Sequence, residues 1–268
     1  MYKIDQCPAC YSLNIVKTPC KLARFVVWRA TQTSTPENVN THAIFCSDCK
    51  YLGSDLRFTP EEESNLYVNY RDDEYNRIRI ECEPNYAERL LTFKDVGSYY
   101  NDRKKVLEEI IRKNIDLESI KNVLDYGGDE GRFIPDCFPN AKKYVYEVSG
   151  AKPLPGIETY DIGNYNGPVD FIICAQLLEH MSDPSGLINL IKKLIDENSW
   201  VYFEVPNYPM PTLPPYFHEH INIFCRSSFS ALLKRNGFQI IDTTELTGDC
   251  QPGEYHGNLG ILVKLKVH

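Results

Sequence analysis

Three consecutive titratable residues, His218, Glu219 and His220, offer acid–base chemistry. An imidazole titrates near neutral pH and suits a general base, and a neighbouring carboxylate can orient the ring and raise its basicity. The segment follows a proline-rich stretch, 206–215, that could close over a site as a lid. The pattern therefore predicts a catalytic role for these residues; the alternative is that either histidine only holds the lid through backbone hydrogen bonds.

Four cysteines form two Cys-x-x-Cys pairs, Cys7 with Cys10 and Cys46 with Cys49. Each pair presents two sulfurs to one ion, so together they predict a tetrahedral thiolate site for Zn²⁺. Four protein ligands leave no open position for water, and the predicted site is therefore structural. The separation of the pairs exceeds that of compact zinc ribbons, and the alternative is that one pair is merely buried.

Glycines and acidic residues lie where predicted strands end. The stretch 127–131 (Gly-Gly-Asp-Glu-Gly) follows a predicted buried strand, and Glu147 ends the next strand. In an open parallel sheet, ligands bind beyond the carboxyl ends of the strands. A glycine-rich turn there lets a ligand touch the backbone, and a carboxylate at Glu147 can accept two hydrogen bonds from a ribose diol.

The elements that position these residues follow from the hydrophobic pattern. From Lys121 onwards, apolar strand-like runs alternate with amphipathic helices, which predicts an α/β fold with a mostly parallel sheet. The predicted strands are 122–126, 143–147, 158–162, 169–175, 199–205, 238–246 and 258–267, and the main predicted helices are 101–113, 185–195 and 227–235.

The first hundred residues differ from the rest. We expect residues 1–60 to form a small zinc-binding module with strand-like stretches such as 24–28, and residues 61–100 to form a helical connector that caps the substrate. The connector combines tyrosines with arginines, which bind phosphates or carboxylates through their forked guanidinium groups. Its candidate substrate contacts are Tyr70, Arg71, Tyr75 and Arg77; the alternative is a solvated helix face.

Charge and hydropathy limit the class of protein. The chain has 29 Lys and Arg against 37 Asp and Glu, a net charge of −8. Because phosphate binding rests on clustered cationic side chains, nucleic acid is an unfavourable partner. No apolar run approaches the roughly 18 residues of a membrane span, and no leader pattern opens the sequence. We therefore expect a cytoplasmic protein without a membrane span.

Several ordered motifs share a resemblance. They are residues 124–131, Glu147, Asp161, residues 175–184 (Ala-Gln-Leu-Leu-Glu-His-Met-Ser-Asp-Pro), residues 220–224 and residues 232–238. At these motifs the sequence resembles the class I S-adenosylmethionine-dependent methyltransferases. The resemblance covers about residues 100–268 and implies a methyltransferase domain over 101–268. Its fold would be Rossmann-like, with a mostly parallel seven-stranded sheet whose last strand is antiparallel.

The resemblance also implies a cofactor site for S-adenosylmethionine. The methionine end would meet Asp125 and the glycine-rich turn, Glu147 would hold the ribose, Asp161 and Ile162 would flank adenine, and Gln176 would lie near the amino-acid moiety. Within the turn, the implied cofactor residues are Gly127, Gly128, Asp129 and Gly131. Asp129 replaces the middle glycine of the usual Gly-x-Gly-x-Gly and could bond the cofactor's ammonium group.

The acceptor is indicated by two further resemblances. The N-terminal layout resembles the zinc module of sugar methyltransferases, which helps to form the acceptor site, and the pattern Tyr-Arg-x-x-x-Tyr-x-x-x-Arg resembles methyltransferases associated with bacterial surface polysaccharides. They imply a sugar, glycan or other small polar acceptor, free or nucleotide-linked. His180, at the start of a predicted helix after the fourth predicted strand, is expected to line the site. Phe217 replaces the tyrosine of the Tyr-His-Glu-His segment of sugar C-methyltransferases, which favours O-methylation.

Two alternatives remain open. One is a C-methyltransferase acting on a nucleotide-linked sugar, which needs a base strong enough to form a carbanion. The other is a zinc-ribbon protein that binds nucleic acid and carries a vestigial cofactor fold.

Overall fold

The computed structural model describes residues 1–92, 97–164, 167–246 and 257–266, excluding the side chains of residues 89, 91, 92 and 97–99. Residues 93–96 of the predicted connector and residue 267 of the last predicted strand lie outside the described residues. Among the described residues, none of the helices combines the length and the apolar character needed to cross a membrane.

The N-terminal region is built on a small antiparallel sheet. Its strands follow one another in the order β11-β4-β3-β2, so that a short strand from far along the chain completes one edge. A separate pair joins β1 to β5. The strands are β1 (Tyr2–Lys3), β2 (Ile15–Leu22), β3 (Val39–Cys46), β4 (Leu52–Ser54), β5 (Leu56–Arg57) and β11 (Asn222–Ile223).

The prediction of a strand over 24–28 is wrong, because these residues form the first part of helix α1 (Arg24–Thr31). Phe25, Val26, Val27 and Ala30 are all buried. A short apolar run of this kind fits a buried strand and a buried helix equally well when periodicity is the only guide. The helix covers the N-terminal sheet and ends at Gln32, whose φ is +56°.

Four helices follow the N-terminal sheet: α2 (Pro60–Tyr67), α3 (Asp73–Cys82), α4 (Tyr86–Thr92) and α5 (Gly97–Asn114). Thr59 caps α2 through a reciprocal capping box with Glu62. Asp72 caps α3 by accepting a hydrogen bond of 2.7 Å from the Tyr75 amide. These caps fix where α2 and α3 begin and so set the direction of the side chains on α3.

The main sheet has seven strands in the described residues, in the order β12-β13-β10-β9-β6-β7-β8. Strand β13 is antiparallel to both of its neighbours, while the pairs from β10 to β8 are parallel. The predicted fold class, a Rossmann-like methyltransferase sheet with an antiparallel last strand, is confirmed. The strands are β6 (Asn122–Tyr126), β7 (Lys142–Tyr146), β8 (Glu158–Thr159), β9 (Phe171–Ala175), β10 (Trp200–Pro206), β12 (Phe238–Leu246) and β13 (Asn258–Leu265).

Helices cover both faces of this sheet. The buried side of α5, with Leu107 and Ile111, packs with Val123 and Ile173 on one face. Helices α6 (Pro184–Lys192) and α7 (Arg226–Arg235) pack on the other face, together with the cysteines of the N-terminal region.

Candidate active site

The glycine-rich turn after β6 needs glycine for two separate reasons. Gly127 and Gly131 adopt φ values of +74° and +81°, a region that L side chains rarely occupy. A Cβ at Gly127 would lie 2.9 Å from Leu177, and one at Gly131 would lie 2.8 Å from Ile157. The turn thus packs closely against the segment that follows β9.

Asp125 lies beneath this turn and is almost completely buried. A Cβ on Gly128 would collide with its carboxyl group. Within the described residues its Oδ2 has no hydrogen-bond partner. Burial raises the pKa of Asp125 to about 7, although the Arg103 charge opposes this. An unpartnered carboxylate oxygen under a glycine turn fits the ammonium group of the predicted cofactor.

Glu147, directly after β7, is held in place by the backbone. Its Oε2 accepts a hydrogen bond from the Asp129 amide at 3.0 Å, and its Oε1 accepts one from the Ser149 amide at 2.8 Å. Asp129 itself has a φ of +55°, and burial raises its pKa. Each carboxylate oxygen keeps a free lone pair. The structure therefore brings Asp129 and Glu147 together beside the turn.

The other predicted cofactor residues are more dispersed. Asp161 is exposed and accepts hydrogen bonds from the Gly163 amide and the Asn164 side chain at 2.9 and 2.6 Å, while Ile162 packs against the core. Gln176 has a φ of +57°, and its side-chain nitrogen donates to Glu204 at 3.1 Å. Gln176 therefore belongs to a polar network within the sheet.

Arg103 on α5 was missed by the sequence analysis. It is buried, and its guanidinium lies 2.6 Å from Glu204 and over the ring of Phe133 at 4.4 Å. Its charge also acts on Asp125. A helical signal could have found it, because Arg103 shares the buried face of α5 with Leu107.

Glu219, in the middle of the His-Glu-His segment, is fixed by two residues of α3. Arg79 donates to its Oε2 at 2.8 Å, and the Tyr75 hydroxyl donates a short hydrogen bond to its Oε1. Burial acts to raise the pKa of Glu219, but Arg79 and the neighbouring histidines lower it to about 2. Glu219 is therefore an anchored carboxylate that shapes the field around the histidines.

His180 and His220 meet beside Glu219. Their rings make an edge-to-face contact with centroids 4.8 Å apart, and His180 Nδ1 lies 3.2 Å from the Glu219 carbonyl oxygen. Burial lowers the pKa of both rings, that of His220 to about 3. Both are therefore neutral imidazoles at pH 7. The ring of Tyr67 packs against His180 with centroids 5.6 Å apart.

His218 does not join this pair. Its ring lies 3.1 Å from the Glu83 carboxylate, contacts Tyr216 and is about one third exposed. The predicted catalytic segment thus divides: Glu219 is buried and His220 is half-buried in the cluster, whereas His218 lies near the surface.

Only some of the substrate residues predicted in the connector lie near the cluster around Glu219. Tyr70 and Tyr75 pack edge to face at 5.0 Å, and Arg71 lies over the Tyr70 ring at 4.8 Å. Arg77 lies on the exposed side of α3 and pairs with Glu74 at 2.7 Å, so the alternative of a solvated helix face describes this residue. The residue that reaches the cluster is Arg79.

Asn222 on β11 holds the turn that carries His180. Its side-chain nitrogen donates to the backbone carbonyls of Leu178 and Met181 at 3.0 and 2.8 Å. Its side-chain oxygen accepts from Tyr51 and Arg57 at 2.6 and 2.8 Å. This fully buried amide ties the N-terminal sheet to the turn after β9. Its partners are distant in sequence, and no local pattern indicated them.

The four cysteines of the two pairs converge. Cys7 and Cys49 have sulfurs 3.5 Å apart, Cys10 and Cys46 have sulfurs 3.6 Å apart, and all four lie within 4.8 Å of one another. Tetrahedral Zn²⁺ with Zn–S bonds of about 2.3 Å places its sulfurs about 3.8 Å apart. The arrangement fits this ion.

Both cysteine turns are docked on α7. Arg235 donates to the backbone carbonyls of Ala9 and Pro8 at 3.1 and 3.2 Å, and its guanidinium lies over the Tyr11 ring. At the other end of the helix, the Ser227 hydroxyl donates to the Cys49 carbonyl at 2.7 Å. The cysteine cluster therefore supports the helix that follows the His-Glu-His segment.

Comparison with known proteins agrees with this architecture. A model of a family described as "Methyltransferase domain" matches residues 99–243. A ubiquinone biosynthesis O-methyltransferase of Thiobacillus denitrificans (strain ATCC 25259 / T1) is 22% identical over 123 residues, which are 40% of this chain and 52% of that protein. The chain thus spans about half the length of this curated relative.

Solved structures with a similar fold include an S-adenosylmethionine-dependent methyltransferase from Clostridium acetobutylicum ATCC 824, with 13% identity, coverage of 68% of this chain and 99% of that one, and a TM-score of 0.46. Another is the mitomycin 7-O-methyltransferase, with 11% identity, coverage of 70% and 60%, and a TM-score of 0.47. Because the family match spans more than half of the chain, the chain belongs to the methyltransferase-domain family of S-adenosylmethionine-dependent enzymes.

Proposed function

We propose that this enzyme methylates a hydroxyl of a sugar, glycan or other small polar acceptor in bacterial surface-polysaccharide biosynthesis, in the cytoplasm. The observation that carries the proposal is the half-buried pair His180 and His220 beside the anchored Glu219. The turn that carries His180 also packs on the glycine-rich turn, through the contact between Leu177 and Gly127. The proton-accepting groups and the predicted cofactor site are thus neighbours.

S-adenosylmethionine supplies an electrophilic methyl group when bound, and the protein must then hold the acceptor in line and relieve its hydroxyl of a proton. We assign the proton to an imidazole of the pair His180 and His220. Glu219, fixed by Arg79 and Tyr75, stabilises the positive charge that this proton brings. Asp125 and Glu147 would hold the ammonium group and the ribose of the cofactor.

Acceptor contacts are proposed for the aromatic and cationic residues of the connector. The charge of Arg71 acts on the pKa of both Asp129 and His180, so it lies within electrostatic range of the cofactor turn and of the histidines. The ring of Tyr70 lies next to it, whereas Tyr75 is fully buried against Tyr70 with its hydroxyl bonded to Glu219. A polar acceptor carrying a phosphate or carboxylate suits this combination.

We propose three parts of the chain with separate roles: residues 1–60 form a zinc-binding module, residues 61–100 form the connector and cap, and residues 101–268 form the methyltransferase domain. The zinc ion would be structural. Its support is the convergence of the four sulfurs and their docking on α7.

One observation favours carbon methylation as a second candidate. Phe217, which stands where sugar C-methyltransferases have a tyrosine, is buried in the core of the N-terminal region and offers no hydroxyl. The Tyr75 hydroxyl nevertheless reaches Glu219 and supplies a phenol to the cluster. A C-methyltransferase acting on a nucleotide-linked sugar would need such additional acid–base groups.

The direct test uses the full chain, methyl-labelled S-adenosylmethionine and a panel of nucleotide sugars, glycans and short RNA. We expect label in a sugar-containing acceptor and none in RNA. His220→Gln should lower kcat at least about a hundredfold without changing the affinity for S-adenosylhomocysteine, since acid–base groups contribute on that scale. His42→Gln, a substitution in β3, should leave both unchanged. Equal turnover by His220→Gln would contradict the proposed role.

The position of the label separates the two reactions. Loss of deuterium from an acceptor carbon would establish carbon methylation, whereas full retention of carbon-bound deuterium with a new methyl ether would establish O-methylation. Label found only in RNA would overturn both.

A further inference from the structure

A carboxylate converges with the two imidazoles of the proposed proton-accepting pair. Glu179, His180 and His220, here termed the Glu-His-His cluster, each place one possible ligand atom within 4.8 Å of the other two. The carboxylate oxygen of Glu179 lies 3.8 Å from His180 Nε2. A cation bonded to such ligands at about 2.1 Å would bring them about 3 to 3.5 Å apart, which needs only small side-chain rotations.

The Glu179 carboxylate lacks the partners that a buried acid requires. The residue is 1% exposed, and within the described residues neither carboxylate oxygen has a hydrogen-bond partner. A buried, unpaired carboxylate is strongly destabilising unless it is neutralised or binds a cation. An ionised Glu179 would therefore be stabilised most by a positive charge placed between it and the rings.

The nearby arginines are already engaged elsewhere. Arg79 bonds to Glu219 at 2.8 Å and lies 3.5 Å from Glu83, and Arg103 bonds to Glu204 at 2.6 Å. Neither makes a hydrogen bond to Glu179 in the part of the chain that the structure describes. The protein thus supplies hydrogen-bonded cations to Glu219 and Glu204, whereas the charge of Arg103 acts on Glu179 without a hydrogen bond.

The hydrogen bond of His180 prepares the ring for metal binding. Since the Glu219 carbonyl can only accept, His180 Nδ1 carries the proton of their 3.2 Å contact, and Nε2 keeps its lone pair towards Glu179. Metal-bound histidines characteristically donate their other N–H to a carbonyl or carboxylate in this way. The backbone that carries Glu179 and His180 is fixed by Asn222.

We propose that Glu179, His180 and His220 bind a divalent transition-metal cation, with positions left open for oxygen atoms of the acceptor. Two imidazoles and one carboxylate suit Zn²⁺, Mn²⁺ or Fe²⁺. For its role the inference rests on the proposed methyl transfer and, when the ion is bound, replaces direct proton transfer to His180 or His220: the imidazoles would hold the ion, and the ion would lower the pKa of a coordinated acceptor hydroxyl, whose proton passes to water. The site is distinct from the four cysteines.

Manganese binding to the full chain tests the site without cofactor or acceptor. Mn²⁺ is the probe because it prefers oxygen and nitrogen ligands and leaves zinc on thiolates. Free Mn²⁺ is followed by its electron paramagnetic resonance signal during titration. We expect one Mn²⁺ per chain in addition to the thiolate-bound zinc. Glu179→Gln and His220→Gln should each weaken binding at least about tenfold, and His42→Gln should not.

The outcomes are decisive in each direction. Zinc content and the thermal midpoint show whether Glu179→Gln is folded, and His180→Asn provides a second variant that removes a ligand. Absence of Mn²⁺ binding up to millimolar concentration, or equal binding by wild type and a folded ligand variant, would overturn the site. Full methyl transfer after removal of this cation would overturn its role and leave the proposed function standing. Binding of Mn²⁺ without any methylated acceptor would leave the metal site standing and overturn the proposed function.

Discussion

Replacing Asp125 by Asn should stabilise the cofactor-free protein at alkaline pH. Asp125 is buried, its Oδ2 has no hydrogen-bond partner in the described residues, and its pKa is raised from 3.8 to about 7 mainly by burial. Below pH 3.8 the carboxyl group is protonated in both the folded and the unfolded chain. As the pH rises towards 7, the unfolded chain loses the proton while the folded chain keeps it, so the free energy of unfolding falls.

The size of the effect follows from the same two pKa values. At about 1.4 kcal/mol per pH unit, the cost to the folded state is about 2 kcal/mol at pH 5 and reaches about 4 kcal/mol above pH 7. Asparagine carries no charge at either pH and avoids this cost. The free energy of unfolding of Asp125→Asn should therefore rise relative to wild type by about 2 kcal/mol between pH 5 and pH 8.

Urea unfolding of both proteins at pH 5 and pH 8 measures this difference. Asp102→Asn serves as the matched control, because Asp102 is exposed on α5 and should show the same offset from wild type at both pH values. The same Asp125→Asn substitution should weaken S-adenosylhomocysteine binding about tenfold, since a charge-assisted hydrogen bond to the ammonium group is lost. The reasoning would be refuted if the difference in the free energy of unfolding between Asp125→Asn and wild type were the same at pH 5 and pH 8.

Three further predictions concern other parts of the site. Asn222→Ala should lower the free energy of unfolding by about 3 kcal/mol in urea, because buried donors and acceptors lose their partner. Glu147→Ala should weaken S-adenosylhomocysteine binding by at least about tenfold in calorimetry, whereas the exposed Glu158→Ala should not. Cys49→Ser should lower the zinc content by one ion per chain and lower the thermal midpoint, whereas Cys82→Ser should do neither; an unchanged zinc content in Cys49→Ser would exclude the thiolate site.

The parallel sheet could be predicted because its strands are strongly apolar and end in glycines or acids. The run at 122–126 is buried almost throughout, and the glycines after it need positive φ values. Both features depend on local chemistry and are visible in the sequence. The run at 24–28 has the same apolar character, but its helix is selected by packing against α2 and α3, which the sequence does not display.

The connector shows how helical periodicity could have refined a prediction. Counting from Tyr75, Arg79 is four residues on and lies on the same face of α3, whereas Arg77 is two residues on and points away. The sequence therefore contained the information that Arg79 accompanies Tyr75. It did not contain their common partner, Glu219, because that contact joins residues about 140 positions apart.

The N-terminal region takes part in building the site and is more than an attached module. Asn222 pairs with β4 of the N-terminal sheet while its side chain fixes the turn bearing His180, and α3 supplies the partners of Glu219. The glycine-rich turn meets the same segment through Leu177. A shift in the N-terminal sheet is therefore transmitted to the histidines by a fully buried amide, and to the cofactor turn by a packed side chain. Since these contacts are short and closely packed, the proposed acceptor binding at the connector and the proposed cofactor binding at the turn should be energetically coupled through residues 177–181.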